Sequence, residues 1–301
     1  MSSWTPHTTL VSTETLAANL HSDWVVVDCR FDLANEDFGR EQYGVSHIPG
    51  AVYASLSHDL AGERTGHNGR HPLPSIEALA ATFGRLGVSN GAQVVVYDHD
   101  LGLYASRLWW SLRYLGHDAV ALLDGGLAKW AAEGRPMRSG AESRATTRFT
   151  PAPRGEMHVG MDAVRARMGD GRTLLVDARG PERFEGKSET IDKAAGHIPG
   201  AHNHFYKWNV GPDGTMLPAD ELRTRFEALL AGRAPSAMVM YCGSGVSACH
   251  NLLAMEHAGL SGTPLYVGSW SEWSSDRTRP METGPARVDA QGPRPKGRNT
   301  T

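Results

Sequence analysis

The chain has 301 residues, enough for about two globular domains, and it is 40% hydrophobic and 21% charged, the balance of a globular protein. A formal net charge of −3 argues against nucleic acid as a partner. No stretch has the length and apolarity of a membrane span or a secretory leader, so the expected setting is the cytoplasm, with no membrane partner.

In chain order, Val25-Val26-Val27 is the first expected buried strand, running into Asp28-Cys29-Arg30. His47-Ile48-Pro49-Gly50-Ala51 follows. The stretch around His67 and His71 is rich in Gly and Asn and has no helical pattern, so the spacing of these histidines does not read as a metal site. Ser75 is placed to cap a helix over Ile76 to Leu86. Val94-Val95-Val96-Tyr97 is a second strand, and Leu103 to Leu115 a helix that carries Trp109-Trp110 and ends at Gly116. Val120 to Leu123 is a third strand, followed by Asp124-Gly125-Gly126, Trp130 and Arg135-Pro136. From Gly140 to Gly155 the periodicity stops and Pro151 and Pro153 appear, which marks a linker.

Beyond the linker the same landmarks return. Leu174-Leu175-Val176-Asp177-Ala178-Arg179 answers Val25 to Arg30, and His197-Ile198-Pro199-Gly200-Ala201 repeats the earlier motif 150 residues on. Met238-Val239-Met240-Tyr241 answers Val94 to Tyr97, Trp273 answers Trp130, and Arg279-Pro280 answers Arg135-Pro136. A period this long means two copies of one domain. We place them at residues 10–140 and 156–281, with a Pro-, Gly- and Arg-rich tail over 282–301 that should be disordered. Alternation of strand and helix in each copy predicts an α/β fold: a mostly parallel sheet flanked by helices. His47 and His197 head motifs found in both copies and are read as structural. Trp109, Trp110, Trp130, Trp270 and Trp273 are read as packing.

The copies differ at the end of their Tyr-terminated strands, where open parallel sheets bind ligands. One reads Tyr241-Cys242-Gly243-Ser244-Gly245-Val246-Ser247-Ala248-Cys249, followed by a helical pattern over Asn251 to His257. The other reads Tyr97-Asp98-His99-Asp100-Leu101-Gly102. Glycines let successive N–H groups turn inward and form an anion nest, and the helix that follows adds its positive end. Such a cradle favours a thiolate, and equally the anionic outer sulfur of a persulfide. Cys242 is therefore the expected nucleophile, and the first copy, with Asp98, is expected to be inactive. Cys29 and Cys249 are read as buried thiols. Three cysteines without a Cys-x-x-Cys pair give neither a disulfide framework nor a zinc ribbon.

These motifs, with Asp124-Gly125-Gly126 and Trp130, make the chain resemble the tandem rhodanese family of thiosulfate and 3-mercaptopyruvate sulfurtransferases over roughly residues 10 to 281. The resemblance implies two tandem rhodanese-like domains, the second catalytic, and an active site at their junction. It implies a cysteine persulfide, with no metal and no organic cofactor. Sulfur would pass from a small-molecule donor to cyanide, a small thiol or a thioredoxin-like protein, and the chain would act as a monomer.

Thiosulfate-using relatives carry Arg and Lys just after the cysteine, whereas Gly243 and Ser244 stand here, so 3-mercaptopyruvate is favoured slightly as donor, with thiosulfate the alternative. In that branch a triad is implied, and the matching positions are Ser244, His71 and Asp59. Arg183 matches the family's anion-binding arginine, and Gly243, Gly245, Val246 and Ser247 would complete the donor site. A second arginine is expected nine residues after Arg183, where this chain has Asp192, with Lys193 and Lys187 nearby.

Two other functional classes fit the sequence less well. A rhodanese-fold phosphatase needs a longer loop closed by an arginine, but Ala248 stands six residues after Cys242 and the next arginine is Arg277. A non-catalytic binding module would not need Cys242, although a dedicated persulfide carrier would.

Overall fold

Unbroken runs of Val, Leu and Met suit strands buried on both faces. The computed structural model, which describes residues 5–286, sets these runs side by side in two five-stranded sheets. The first contains β1 (Leu10–Val11), β2 (Val25–Asp28), β3 (Val52–Tyr53), β4 (Val94–Tyr97) and β5 (Val120–Leu123), in the order β1-β5-β4-β2-β3. The second contains β6 (His158–Val159), β7 (Leu174–Asp177), β8 (His202–Asn203), β9 (Met238–Tyr241) and β10 (Leu265–Tyr266), in the order β6-β10-β9-β7-β8. Every pairing is parallel, and the order is the same in both sheets.

The register repeats too. Asp28 pairs with Tyr97 and Asp177 with Tyr241. Each aspartate then turns back on the arginine two residues on: Arg30 Nη2 donates to Asp28 at 2.7 Å, and Arg179 Nη2 donates to Asp177 at 2.7 Å. His47 stacks on Tyr43 and bonds its carbonyl, and His197 does the same with Phe184. Both histidines thus hold the turn before β3 or β8. Trp130 and Trp273 donate to the carbonyls of Pro136 and Pro280.

Ser75 caps the helix Ile76–Arg85 by accepting from Ala78 N–H. The helix with the Trp pair spans Ala105–Tyr114. The one after Cys242 spans Ser247–His257, beginning four residues earlier than its apolar pattern suggests, so its N-terminus reaches the cysteine loop. These two helices pack against each other and join the domains in one apolar core. The linker runs without helix or strand over 141–154, held to the first domain by Thr147 N–H on Gly84 O and Arg154 N–H on Tyr114 O. Of the tail expected to be disordered, Glu282 pairs antiparallel with His197 and Gly284 N–H donates to Glu185 O, so the ordered chain runs past 282. Residues 287–301 lie outside the described ones.

Candidate active site

Cys242 leaves β9 and is 2% exposed, in the seam between the domains. Its sulfur accepts the Val246 N–H at 3.2 Å, closing the loop around it. Among the described residues, the N–H groups of Gly243, Ser244 and Gly245 have no internal acceptor, as an anion nest requires. Gly245 has φ +72°, and a Cβ there would lie 2.5 Å from Val267 O and 3.0 Å from Arg107 Nη1, so only glycine fits that turn.

The first domain shows the same cradle filled. Asp98 follows β4, is 1% exposed, and its carboxylate accepts four N–H bonds at 2.7 to 2.9 Å, from Asp100, Gly102, Tyr104 and Ala105. Burial pushes this carboxyl above the usual carboxylate range, and the four N–H donors act against that rise. The loop after the central strand is therefore built for an anion in both copies, and in this one the chain supplies its own.

His71 crosses from the first domain and sets Nδ1 2.9 Å from Ser244 Oγ. Both residues are buried. Burial, and after it the charges of Arg70, Arg107 and Arg64, hold His71 well below the usual imidazole range, so it is neutral near neutral pH. The third expected member is elsewhere. The Asp59 carboxylate accepts the Ser55 N–H at 2.7 Å and pairs with Arg85, and His71 Nε2 has no hydrogen-bond partner among the described residues. Asp59 sits in the short helix Leu56–Asp59, where Arg85 competes for its charge, so the structure joins two of the three residues.

Arg183 reaches the same loop. Its Nη2 bonds Glu189 at 2.9 Å and Asp192 at 2.9 Å, and its Nη1 lies 3.7 Å from the Cβ position of Gly243. Lys187 pairs with Glu185 at the surface and Lys193 is exposed, so neither takes the place of the expected second arginine. Val246 is buried against the sulfur, and Ser247 opens the following helix. Among the described residues there is no cluster of three or more His, Cys, Asp or Glu able to hold a metal ion. His67 lies in an exposed turn away from the His71–Ser244 pair.

Three residues at the site escaped the sequence reading. Arg107 is fully buried, with no carboxylate partner among the described residues. It donates to the carbonyls of Gly245 at 2.9 Å, His71 at 3.3 Å and Leu60 at 3.4 Å. Burial lowers its affinity for the proton, and Cys249 and Cys242 are the nearby groups whose charge opposes that. Ser269 holds φ +55°, and its hydroxyl accepts the Cys242 N–H at 3.1 Å while donating to Tyr266 O at 2.8 Å. The matching residue in the first copy is Gly126, with φ +57°, so a serine in a glycine's place was the available signal. Arg70 is the third. Burial pushes the other two cysteine thiols up, Cys249 to about 12 and Cys29 well above its ordinary value, which works against thiolate formation there.

The rhodanese-like domain model matches residues 12–133 and 161–276. The "Probable 3-mercaptopyruvate sulfurtransferase" of Pseudomonas aeruginosa is 45% identical over 278 residues, covering 91% of this chain and 98% of that one. The human 3-mercaptopyruvate sulfurtransferase is 36% identical over 247 residues, covering 81% and 82%. Among solved structures, the 3-mercaptopyruvate sulfotransferase SseA from Escherichia coli superposes with a TM-score of 0.76 at 30% identity, over 88% of this chain and 100% of that one.

Proposed function

The chain belongs to the family of rhodanese-like domains and is a sulfurtransferase, and from that premise we propose that it takes sulfur from 3-mercaptopyruvate onto Cys242 through a His71–Ser244 proton relay. The observation that carries the choice of donor is the 2.9 Å contact between His71 Nδ1 and Ser244 Oγ, beside a loop without a lysine or arginine. Thiosulfate has no proton on its transferable sulfur, and sulfite leaves without needing one. Mercaptopyruvate has a thiol proton that must end on carbon. A neutral histidine hydrogen-bonded to a hydroxyl is suited to that transfer.

The step balances as follows. The Cys242 thiolate attacks the donor sulfur and forms the S–S bond. The C–S bond breaks towards carbon, giving the enolate of pyruvate. The thiol proton passes through Ser244 and His71 to the methylene carbon. Pyruvate departs, and the persulfide anion is left in the N–H cradle of the loop from Gly243 to Ser247, with Gly243, Gly245, Val246 and Ser247 around it. Arg183 binds the donor carboxylate. The outer sulfur then goes to cyanide, a small thiol or a reduced thioredoxin-like protein of the cytoplasm, a setting that three unpaired thiols favour. No metal or organic cofactor enters. Incubation with mercaptopyruvate and no acceptor should add the mass of one sulfur atom to the peptide carrying Cys242. A modification found on Cys29 or Cys249 instead would refute the assignment.

A further inference from the structure

Between the C-terminal halves of the helices Ala105–Tyr114 and Ser247–His257 lies a cavity of about 280 Å³. Cys242 is at the other end of this pair, where the second helix begins. The apolar wall is built across the domain seam, from Trp109 and Trp110 on one side and Leu252 and Met255 on the other, all buried. The remaining wall carries two arginines and two glutamates, Arg113, Arg154, Glu156 and Glu256, whose charges sum to zero. Arg154 is committed, since both its Nη groups donate to Asp118 at 2.7 Å. Arg113 is held loosely, 3.4 Å from Asp118 and 3.3 Å from Glu256. Its Nε is buried with no acceptor among the described residues, and so is Trp110 Nε1. Buried donors are seldom left unmet, and these two mark a place that lacks an acceptor. Glu156 is exposed, with no ion pair among the described residues.

We propose that this cavity is a ligand site separate from the sulfur-transfer site, and that it takes a free amino acid with an aromatic side chain. An apolar cleft at a domain seam with a few polar groups is the usual form of a small-molecule site. The wall offers one loosely held cation and one unpaired carboxylate, which match a zwitterion and not a simple anion or cation. The ligand carboxylate accepts from Arg113, and its ammonium donates to Glu156. The aromatic ring packs on Trp109, Trp110 and the thioether of Met255. Nothing in this arrangement touches the reacting groups. Trp110 stands between the cavity and Arg107, whose guanidinium carbon is 5.8 Å from the Trp110 ring, and Arg107 in turn holds Gly245 O. Two side chains thus separate the ligand from the cysteine loop.

The test is isothermal titration calorimetry of the full chain with three probes: L-phenylalanine, 3-phenylpropionate, which lacks the ammonium, and 2-phenylethylamine, which lacks the carboxylate. Phenylalanine should bind with a single site per chain. Each analogue should bind about tenfold more weakly, the loss of one charge-assisted hydrogen bond. Glu156→Gln should weaken phenylalanine about tenfold and leave 3-phenylpropionate unchanged, a pattern that a folding defect would not give. Pyruvate shares the carboxylate of the sulfur donor and reports on the site at Cys242. At saturation it should leave the affinity for phenylalanine unchanged, and so should Arg183→Gln. The proposal is overturned if phenylalanine does not bind at millimolar concentration, if the three probes bind equally, or if Glu156→Gln leaves the affinity for phenylalanine as it was. Displacement of phenylalanine by pyruvate would also overturn it, by placing the amino acid in the donor site.

Discussion

Asp98 occupies in the first sheet the place that Cys242 occupies in the second: each directly follows the central strand, whose last residue, Tyr97 or Tyr241, pairs with Asp28 or Asp177. The carboxylate fills its loop with four N–H bonds, whereas the sulfur takes one from Val246 and leaves the N–H groups of Gly243, Ser244 and Gly245 for an incoming anion. One scaffold thus gives a loop filled by its own carboxylate and a loop left open around a thiol.

Replacing Cys242 by serine should abolish sulfur transfer, and Cys249→Ser should leave most of it. Cys249 is fully buried, its thiol donates to Gly245 O at 3.3 Å, and burial keeps it protonated. Thiocyanate formation from cyanide is the readout. Loss of activity in Cys249→Ser with retention in Cys242→Ser would reverse the assignment.

Ser269 should separate backbone strain from hydrogen bonding. Ser269→Gly relieves the φ of +55° but loses the bond to Cys242 N–H, whereas Ser269→Ala keeps the strain and loses the same bond. Both should reduce kcat, and Ser269→Ala should be the less stable by about 1 kcal/mol in denaturant titration. Equal stability of the two would show that the left-handed turn costs nothing here.

Arg107 has its charge buried below the cysteine loop, with no carboxylate to meet it among the described residues, and should act as a positioning residue. Arg107→Met should slow alkylation of Cys242 by about tenfold, through loss of the positive charge beneath its loop. Arg107→Lys should restore part of that rate. If methionine and lysine behave alike, the residue acts through its bond to Gly245 O and not through its charge.

Acid should destabilise the fold through its buried histidines. His71 is held well below 6.5, and His204 and His250 are held at about 4, chiefly by burial. Their folded values lie below the unfolded one, so on acidification the unfolded chain takes up protons first. Their contribution is complete above pH 6.5 and is lost as pH falls from 6.5 towards about 4. The expected slope is on the order of 1 kcal/mol per pH unit for each histidine. Tm measured across that window should fall, and His204→Gln should flatten the fall. A Tm independent of pH there would contradict the burial of these groups.

Much of this was legible in the sequence, for identifiable reasons. The doubled Val-Asp-x-Arg and His-Ile-Pro-Gly-Ala motifs mark equivalent strands and turns, and continuous apolar runs mark strands covered on both faces. The contrast between Asp98 and Cys242 marks the copy whose loop is open. What stayed hidden lies across the domain seam. Nothing local ties residue 70 to residue 192 or residue 107 to residue 245, because those contacts exist only once the helices Ala105–Tyr114 and Ser247–His257 have packed. Asp59 shows the converse. Family pattern placed it with His71, but its own helix and Arg85 decide where its charge goes.

The most direct test of the account is kcat/KM for thiocyanate formation, with 3-mercaptopyruvate and thiosulfate as parallel donors, in the wild type and in Ser244→Ala. The account predicts that the wild type prefers mercaptopyruvate, and that Ser244→Ala loses about a hundredfold with mercaptopyruvate, the scale of a lost proton relay, and far less with thiosulfate. A wild type that prefers thiosulfate, or a variant that loses equally with both donors, would contradict it.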